Sequence, residues 1–392
     1  MITLITNISQ LITPEGRGAS FGARMGDLRV RDGVEVLISD GRIESIGPAG
    51  SHPSVGEVVD AEGCVVLPGL VDPHRHFGAP CVSGIGSGSS VETGTHSAKQ
   101  GESGADERRL LRGLRRALAE GTSTVEIKCG SDQTVEDEVE LLARARRIGR
   151  ATSLRVSSTL LGTPRGTERW RRDDGISALI GEAIPAARRR RLARFCDVVC
   201  GDGGYAPSEA DAILRAGRGA GLSPKVHVAG GDFDAAALLA ARLDAASIDH
   251  LPDCGRRAAG ALRKSGVVCV LLPGTAFLYG EPYPNARGMI EAGMAVALGT
   301  DYGFEGHGVE SVWMSLAMAL EKLDMSLEEA ITAVTLNAAA ALEIADETGS
   351  LEPGKAADLA ILDVEDHREI AGSVGCDPVR MTIVGGRRVS SP

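Results

Sequence analysis

Residues 67–76 read Leu67-Pro68-Gly69-Leu70-Val71-Asp72-Pro73-His74-Arg75-His76, an apolar run that ends in two histidines two positions apart. The run has the character of a buried strand. On a strand, residues i and i+2 face the same way, so both imidazoles converge on one point. Imidazole is the commonest metal-ligating side chain at neutral pH. The pair is therefore half of a metal site, and the rest of the chain must supply the other half.

Working outward, the 392-residue chain is too long for one ordinary core unless it is a barrel with a smaller domain attached. At 43% hydrophobic and 24% charged residues it is of ordinary globular composition. No run approaches the roughly 18 apolar residues of a membrane span. The start, Met1-Ile2-Thr3-Leu4-Ile5-Thr6-Asn7, shows no basic n-region or cleavage site, the pattern expected of a cytoplasmic enzyme. A formal charge of −11 argues against nucleic acid or an anionic membrane as the main partner. The run Arg188-Arg189-Arg190-Arg191 lies in a helical context and reads as a solvated face. The eight cysteines are scattered without metal-finger spacing and read as reduced core residues.

Both ends of the chain are β-rich. Asp40-Gly41 and Gly385-Gly386 each mark a tight hairpin between apolar runs. Neither end is long enough to bury a core alone, so residues 1–65 and 348–392 are expected to form one small β-sandwich domain. Residues 66–347 are then inserted between them. This middle part alternates short apolar runs with stretches of helical period. The runs are 65–76, 122–130, 154–162, 195–201, 223–229, 246–251, 267–273 and 295–301. Eight strand–helix units over roughly 280 residues predict a (β/α)8 barrel of TIM type.

Chemistry in such barrels sits at the C-terminal ends of the strands. Those ends carry His74 and His76 on the first, His227 on the fifth, His250 on the sixth and Asp301 on the eighth. One histidine on an apolar strand is ordinarily a satisfied core residue, but five metal-type side chains at converging strand ends point to a single site. The constellation resembles the amidohydrolase superfamily, in which a first-strand His-x-His pair, histidines on strands five and six and an aspartate on strand eight surround a divalent metal. The phrases Thr335-Leu336-Asn337-Ala338-Ala339 and Gly349-Ser350-Leu351-Glu352-Pro353-Gly354-Lys355-Ala356-Ala357-Asp358-Leu359 are similar to that superfamily as well. Within it, Thr124–Gly130, Val270–Gly274 and Asn285–Gly293 most resemble the imidazolonepropionases.

The resemblance implies a hydrolase that opens a cyclic amide or amidine C–N bond with metal-activated water, in that family's case imidazolone propanoate. His74, His76, His227 and Asp301 would hold one ion, zinc before iron. Asp301 would move the water's proton to the departing nitrogen, and His250 would assist in proton handling and stabilise the oxyanion. A bridging second metal needs a lysine or glutamate that the fourth strand, Phe195–Asp202, lacks, so a mononuclear site is expected. Where the family has glutamate three residues after the strand-five histidine, this chain has Gly230, and several loop positions also differ. Ligands kept and substrate positions changed imply an active enzyme with a divergent heterocyclic substrate. Candidate substrate contacts are Lys128, Arg165, Asp232, Tyr205, Tyr283 and His307, with Lys128 alternatively pairing with Glu126 and Asp232 alternatively capping a helix. The Ser83–Ser90 stretch reads as a mobile loop. A deaminase of a heterocyclic amine is the alternative function, and a non-catalytic metal-binding protein the third. A homodimer is the default for the fold by analogy.

Overall fold

The computed structural model describes residues 2–52, 56–77, 103–130, 134–164, 172–303, 308–372 and 375–389. Five strands open the chain: β1 (Ile2–Pro14), β2 (Leu28–Asp32), β3 (Val34–Ser39), β4 (Arg42–Pro48) and β5 (Glu57–Pro68). The barrel strands follow as β6 (Leu70–Asp72), β7 (His76–Phe77), β8 (Thr122–Cys129), β9 (Arg155–Gly162), β10 (Phe195–Cys200), β11 (Ser223–Val228), β12 (Ser247–Asp249), β13 (Val268–Leu271) and β14 (Ala295–Leu298). The chain then returns with β15 (Leu359–Leu362), β16 (Val379–Val384) and β17 (Arg387–Val389). These three join β1–β5 in one mixed sheet, ordered β17-β16-β15-β5-β1-β3-β4 with β2 on β1. The two β-rich termini thus join in one continuous hydrogen-bonded sheet.

Its turns obey their chemistry. Asp40 (φ 49°) and Gly41 (φ 79°) are both left-handed between β3 and β4, as are Gly385 (φ 55°) and Gly386 (φ 73°) between β16 and β17. Two positive φ values are what a two-residue hairpin matching strand twist requires. Period-2 alternation then gives the sheet two apolar faces. Cys64, Val66, Leu359 and Ile361 pack with Ile5, Val36 and Ile38 in the sheet's own core. Val65, Leu67, Ala360 and Leu362 belong instead to the large cluster that includes the barrel's helices.

The expected first barrel strand, 65–76, is a composite. Residues up to Pro68 pair with β15 in the terminal sheet, in the register Val66↔Ile361, while Leu70–Asp72 pair with β8 in the barrel. The chain changes sheets at Gly69, where the Gly69 N–H donates to Asp358 and the Leu70 N–H to Gly121.

The barrel sheet runs β14-β13-β12-β11-β10-β9-β8-β6, with β7 also on β8. Every residue of β8, β10, β13 and β14 is buried, as expected for parallel strands covered on both faces. Helices α1 (Ser103–Ala119), α2 (Val135–Gly149), α3 (Arg172–Ala178), α4 (Ile184–Arg189), α5 (Pro207–Gly219), α6 (Phe233–Arg242), α7 (Arg256–Ser265), α8 (Pro273–Tyr279) and α9 (Ala286–Glu291) lie between the strands. After β14 come α10 (Val312–Lys322), α11 (Leu327–Ala333) and α12 (Leu336–Ala341). Among the described residues no ladder pairs β14 with β6. The seam closes at the mouth, where the Asp301 N–H donates to the His74 carbonyl (3.0 Å) and the His76 N–H to that of Tyr302 (2.9 Å).

Inward-facing side chains form layers, as barrel geometry demands. The bottom is apolar: Val71, Phe195, Val268 and Ala295 pack with Leu336, Ala338 and Ala339 of α12. Asn337 latches this plug by donating to the carbonyls of Val296 (2.8 Å) and Ser20 (3.0 Å). The next layer is charged. Asp197 and Lys225 sit in register across β10 and β11, and one step higher His227 lies beside Asp249 of β12. The histidines crown this stack at the strands' C-terminal ends.

Candidate metal centre

His74 sits in the break between β6 and β7, and His76 opens β7. Their Nε2 atoms approach to 3.1 Å. His227 is inward on β11, with its ring centroid 5.2 Å from that of His74 and 4.3 Å from that of His250. Alternation alone would turn His250 away from the interior that Asp249 faces. Its left-handed backbone (φ 63°) breaks the alternation and brings both side chains to the site. Asp301, also left-handed (φ 56°), places Oδ1 3.1 Å from His76 Nε2 and 3.4 Å from His74 Nε2. Two non-glycine left-handed residues at one site are strain that the surrounding hydrogen bonds must hold. Thr275, at the start of α8, helps: its hydroxyl donates to Asp301 Oδ2 at 2.7 Å.

The five predicted residues therefore meet. The ligating atoms of His74, His76 and Asp301 all lie within 4.8 Å of one another, and so do those of His74, His227 and His250. Both ring nitrogens of His227, Nε2 of His250 and Oδ1 of Asp301 are buried without a hydrogen-bond partner. Buried polar atoms are normally paired, so this cluster of unpartnered atoms, each neutral imidazole supplying one lone pair, fits a cation. Its donor set, imidazoles with one carboxylate, suits a divalent transition metal.

Electrostatics keep His76, His227, His250 and Asp301 in ligating form. Burial, reinforced by the neighbouring imidazoles, pushes His227 well below its ordinary pKa. Burial holds His250 down to about 4 and also lowers His76, so these rings are neutral at neutral pH. For His74, burial and Lys128 favour the neutral ring, but the nearby Asp249 and Asp301 carboxylates outweigh them and raise its pKa. Asp301 resists burial because His250, His74 and His76 hold its carboxyl well below the usual range.

The expected substrate contacts fare differently. Lys128 is fully buried, 2.6 Å from Asp197, 2.8 Å from Asp249 and 3.4 Å from Glu126, so it is enclosed by carboxylates and does not face a substrate. Tyr205, 1% exposed, donates its hydroxyl to the Thr163 carbonyl (3.0 Å) and packs in the barrel wall. Asp232 caps α6 by accepting from the Ala235 N–H (3.0 Å) on an exposed turn, which is the alternative role foreseen for it. Tyr283 is half-buried and packs against the main core. Arg165, His307 and the Ser83–Ser90 stretch lie outside the described residues. Arg188–Arg191 are exposed. Of the described cysteines, Cys376 is exposed and Cys254 half-buried, which departs from the core role expected of all eight.

Sequence reasoning missed the supports. Asp249 accepts from His74 Nδ1 at 2.7 Å, which directs the proton to Nδ1 and the lone pair to Nε2. Asp72 accepts from the N–H (3.1 Å) and hydroxyl (2.6 Å) of Thr300, the His74 N–H (3.3 Å) and Arg75 Nε. Arg75 also donates to the Glu310 carbonyl (2.6 Å) and lies over the Tyr302 ring. The available signal was a charged residue inside each apolar run, in the sequence immediately beside or two positions from a ligand.

A model of the amidohydrolase family matches residues 217–389. An imidazolonepropionase of Solibacter usitatus is 35% identical over 411 residues, covering 98% of this chain and 98% of that protein. The imidazolonepropionase of Thermoanaerobacter pseudethanolicus is 31% identical and covers 97% and 96%. The chain belongs to the amidohydrolase family. It is an imidazolonepropionase-like member, similar over its full length. A mutant atrazine chlorohydrolase of Arthrobacter aurescens, solved with zinc and atraton, shares the family fold at a TM-score of 0.75, with 17% identity and coverage of 98% and 94%. No helix among the described residues is long and apolar enough to cross a membrane.

Proposed function

We propose that this amidohydrolase opens a cyclic amide or amidine C–N bond of a small heterocycle, by chemistry like that of imidazolonepropionase on a divergent substrate. The observation that carries the reading is the convergence of orphaned His227, His250 and Asp301 atoms on the His74–His76 pair, in a chain related end to end to imidazolonepropionases.

His74, His76, His227 and Asp301 would hold one divalent ion, zinc in the first instance. A bound ion of this kind supplies a water of lowered pKa and positive charge for the carbonyl oxygen. The chain's residues do the rest. Asp301, anionic and held at Oδ2 by the Thr275 hydroxyl, would offer Oδ1 to the ion while its carboxylate takes a proton and returns it to the departing ring nitrogen. His250, whose side chain is 10% exposed against 0–5% for His74, His76 and Asp301, is the ring nearest solvent. Its Nε2 lies 3.8 Å from Asp301 Oδ2, and as a neutral imidazole it can donate a hydrogen bond to the oxyanion.

Gly230 supports a departure in substrate handling. Its φ of 102° disfavours any side chain, although a Cβ would meet Asp202 only at an ordinary contact distance of 3.6 Å, so it is the backbone that holds this position away from the glutamate of the family pattern. That counts against the deaminase alternative, which needs the proton shuttle. A cytoplasmic location and a homodimer go with the reading as carried from sequence and fold analogy.

The test is metal analysis of purified protein with ring-opening assays on imidazolone propanoate, hydantoins and lactams. Ring opening that is lost on chelation and lost in His227→Ala supports the reading. Activity that survives chelation, or ammonia release from purine-like substrates without ring opening, overturns it.

A further inference from the structure

Directly beneath the metal centre lies a layer of charge that the hydrolytic reaction does not itself employ. Glu126, Lys128, Asp197, Lys225 and Asp249 are each 0% exposed. Lys225 Nζ donates to Glu126 Oε2 at 2.7 Å, and Lys128 Nζ to Asp197 Oδ2 at 2.6 Å. Lys128 also lies 2.8 Å from Asp249 Oδ2, the same oxygen that accepts from His74 Nδ1 at 2.7 Å. Ser247 occupies the other oxygen of Asp249 at 2.5 Å. This position in a barrel is ordinarily filled by branched aliphatic side chains, and replacing buried ion pairs by apolar residues is commonly neutral or stabilising. Stability alone gives no reason for five charges here.

The two lysines are not equivalent. Both are fully buried on inward positions of barrel strands, but only Lys128 touches Asp249, whereas Lys225 reaches Glu126 and lies over the Phe195 ring at 4.9 Å. We propose that Lys128 is a positioning residue for the metal centre: it anchors the Asp249 carboxylate so that Asp249 holds the His74 Nδ1 proton and presents His74 Nε2 as a lone pair beside His76 and Asp301. This rests on His74 being a metal ligand. Lys128 touches neither substrate nor ion in this role. Its effect passes through two hydrogen-bonded groups, the carboxylate and the ring, both sealed from solvent. Outer partners of metal-binding histidines act in this way on ligand orientation and basicity.

The equivalence of burial and charge makes Lys225 the internal control. Lys128→Met and Lys225→Met should lower the melting temperature of the metal-free protein similarly. They should diverge in metal affinity measured by chelator competition with zinc: about tenfold or more weaker for Lys128→Met, and within about threefold of the parent for Lys225→Met. The visible absorption of the cobalt(II)-loaded protein should shift for Lys128→Met and stay put for Lys225→Met. Should Lys128→Met not fold, Asp249→Asn tests the same link and should weaken zinc binding to a similar degree. Equal zinc affinity and equal cobalt spectra in the two lysine variants, or parental affinity in Asp249→Asn, overturn the proposal. His227→Ala separates this from failure of the site reading, because it removes a ligand directly. If it abolishes zinc binding while Lys128→Met does not, the centre stands and the positioning role falls. If His227→Ala binds zinc as the parent does, the site reading falls and the positioning role with it.

Discussion

Asp72→Asn should cost far more than its surface chemistry suggests. Asp72 is 0% exposed, and each of its oxygens accepts two hydrogen bonds: Oδ1 from the Thr300 and His74 N–H groups, Oδ2 from Arg75 and the Thr300 hydroxyl. Turned one way the amide NH2 faces the Thr300 and His74 N–H donors, turned the other it faces Arg75 beside the Thr300 hydroxyl, and either way the Arg75 guanidinium, 2% exposed, loses its counter-charge. Stripping one partner from a buried ion pair costs about 3–5 kcal/mol, which already includes the charge-assisted bonds of about 1.5–3 kcal/mol each. Unfolding entropy near 2.1 cal/mol/K per residue gives this chain about 0.8 kcal/mol/K, so the loss is a drop of about 5 °C in Tm. A calorimetric melt of metal-free Asp72→Asn measures it. Asp72→Asn with Arg75→Met should recover part of the loss, since removing both charges leaves neither unpaired. Because this clasp lies on the seam between the His74–His76 segment and Asp301, zinc affinity should fall as well. A melt within about 1 °C of the parent, or a double variant less stable than the sum of its single changes, would refute the reasoning.

Other expectations follow from the same geometry. In metal-free protein, His227 and His250 take protons when unfolded, near pH 6.5, but resist them when folded, His250 down to about 4. Stability is therefore full above pH 6.5 and lost as pH falls toward 4, by about 3 kcal/mol for His250 alone, with the raised pKa of His74 working the other way; denaturant melts across that range check it. Gly303 has φ 97°, and a Cβ there would stand 2.4 Å from the His76 carbonyl oxygen, so Gly303→Ala should lose about 2–3 kcal/mol and weaken zinc binding, read by thermal melt and chelator competition. Zinc added to stripped protein at a hundred times its Kd should stabilise it by about 2.7 kcal/mol, visible as a raised Tm that His227→Ala abolishes. Cys376 is exposed, whereas burial pushes the thiols of Cys129, Cys196 and Cys269 far up, so a thiol reagent at pH 8 should label Cys376 and spare those three until the protein unfolds.

The candidate ligands could be picked out because their signal is local: a histidine or aspartate at the end of an apolar run is visible without knowing what surrounds it. The hairpins at Asp40-Gly41 and Gly385-Gly386 were legible for the same reason. The handover at Gly69 was not, because a strand serving two sheets has the same apolar pattern as one strand of double length. Asp249 escaped notice because it adjoins His250, and two neighbours on a strand should face apart; the left-handed turn at His250 that defeats this rule is invisible in sequence. Tyr205 and Asp232 sit in strand-end loops, as substrate contacts do, yet their polar atoms are taken by Thr163 and by the first turn of α6. Loop position names who is near the mouth, and only geometry says who faces it.

The shared strand at Gly69 also sets a timetable for making the protein. The segment that carries His74 and His76 leaves directly from β5, and β5 finds one of its two sheet partners in β15, roughly 290 residues further along. At typical synthesis speeds of about 5–20 residues per second, β15 follows about a quarter of a minute to a minute later. Until then, the edge of β5 that will pair with Leu359–Leu362 is unpaired on the ribosome, next to His74 and His76. The nascent chain must therefore guard an open strand edge and an incomplete metal site together, and one late arrival closes the first while the barrel completes the second.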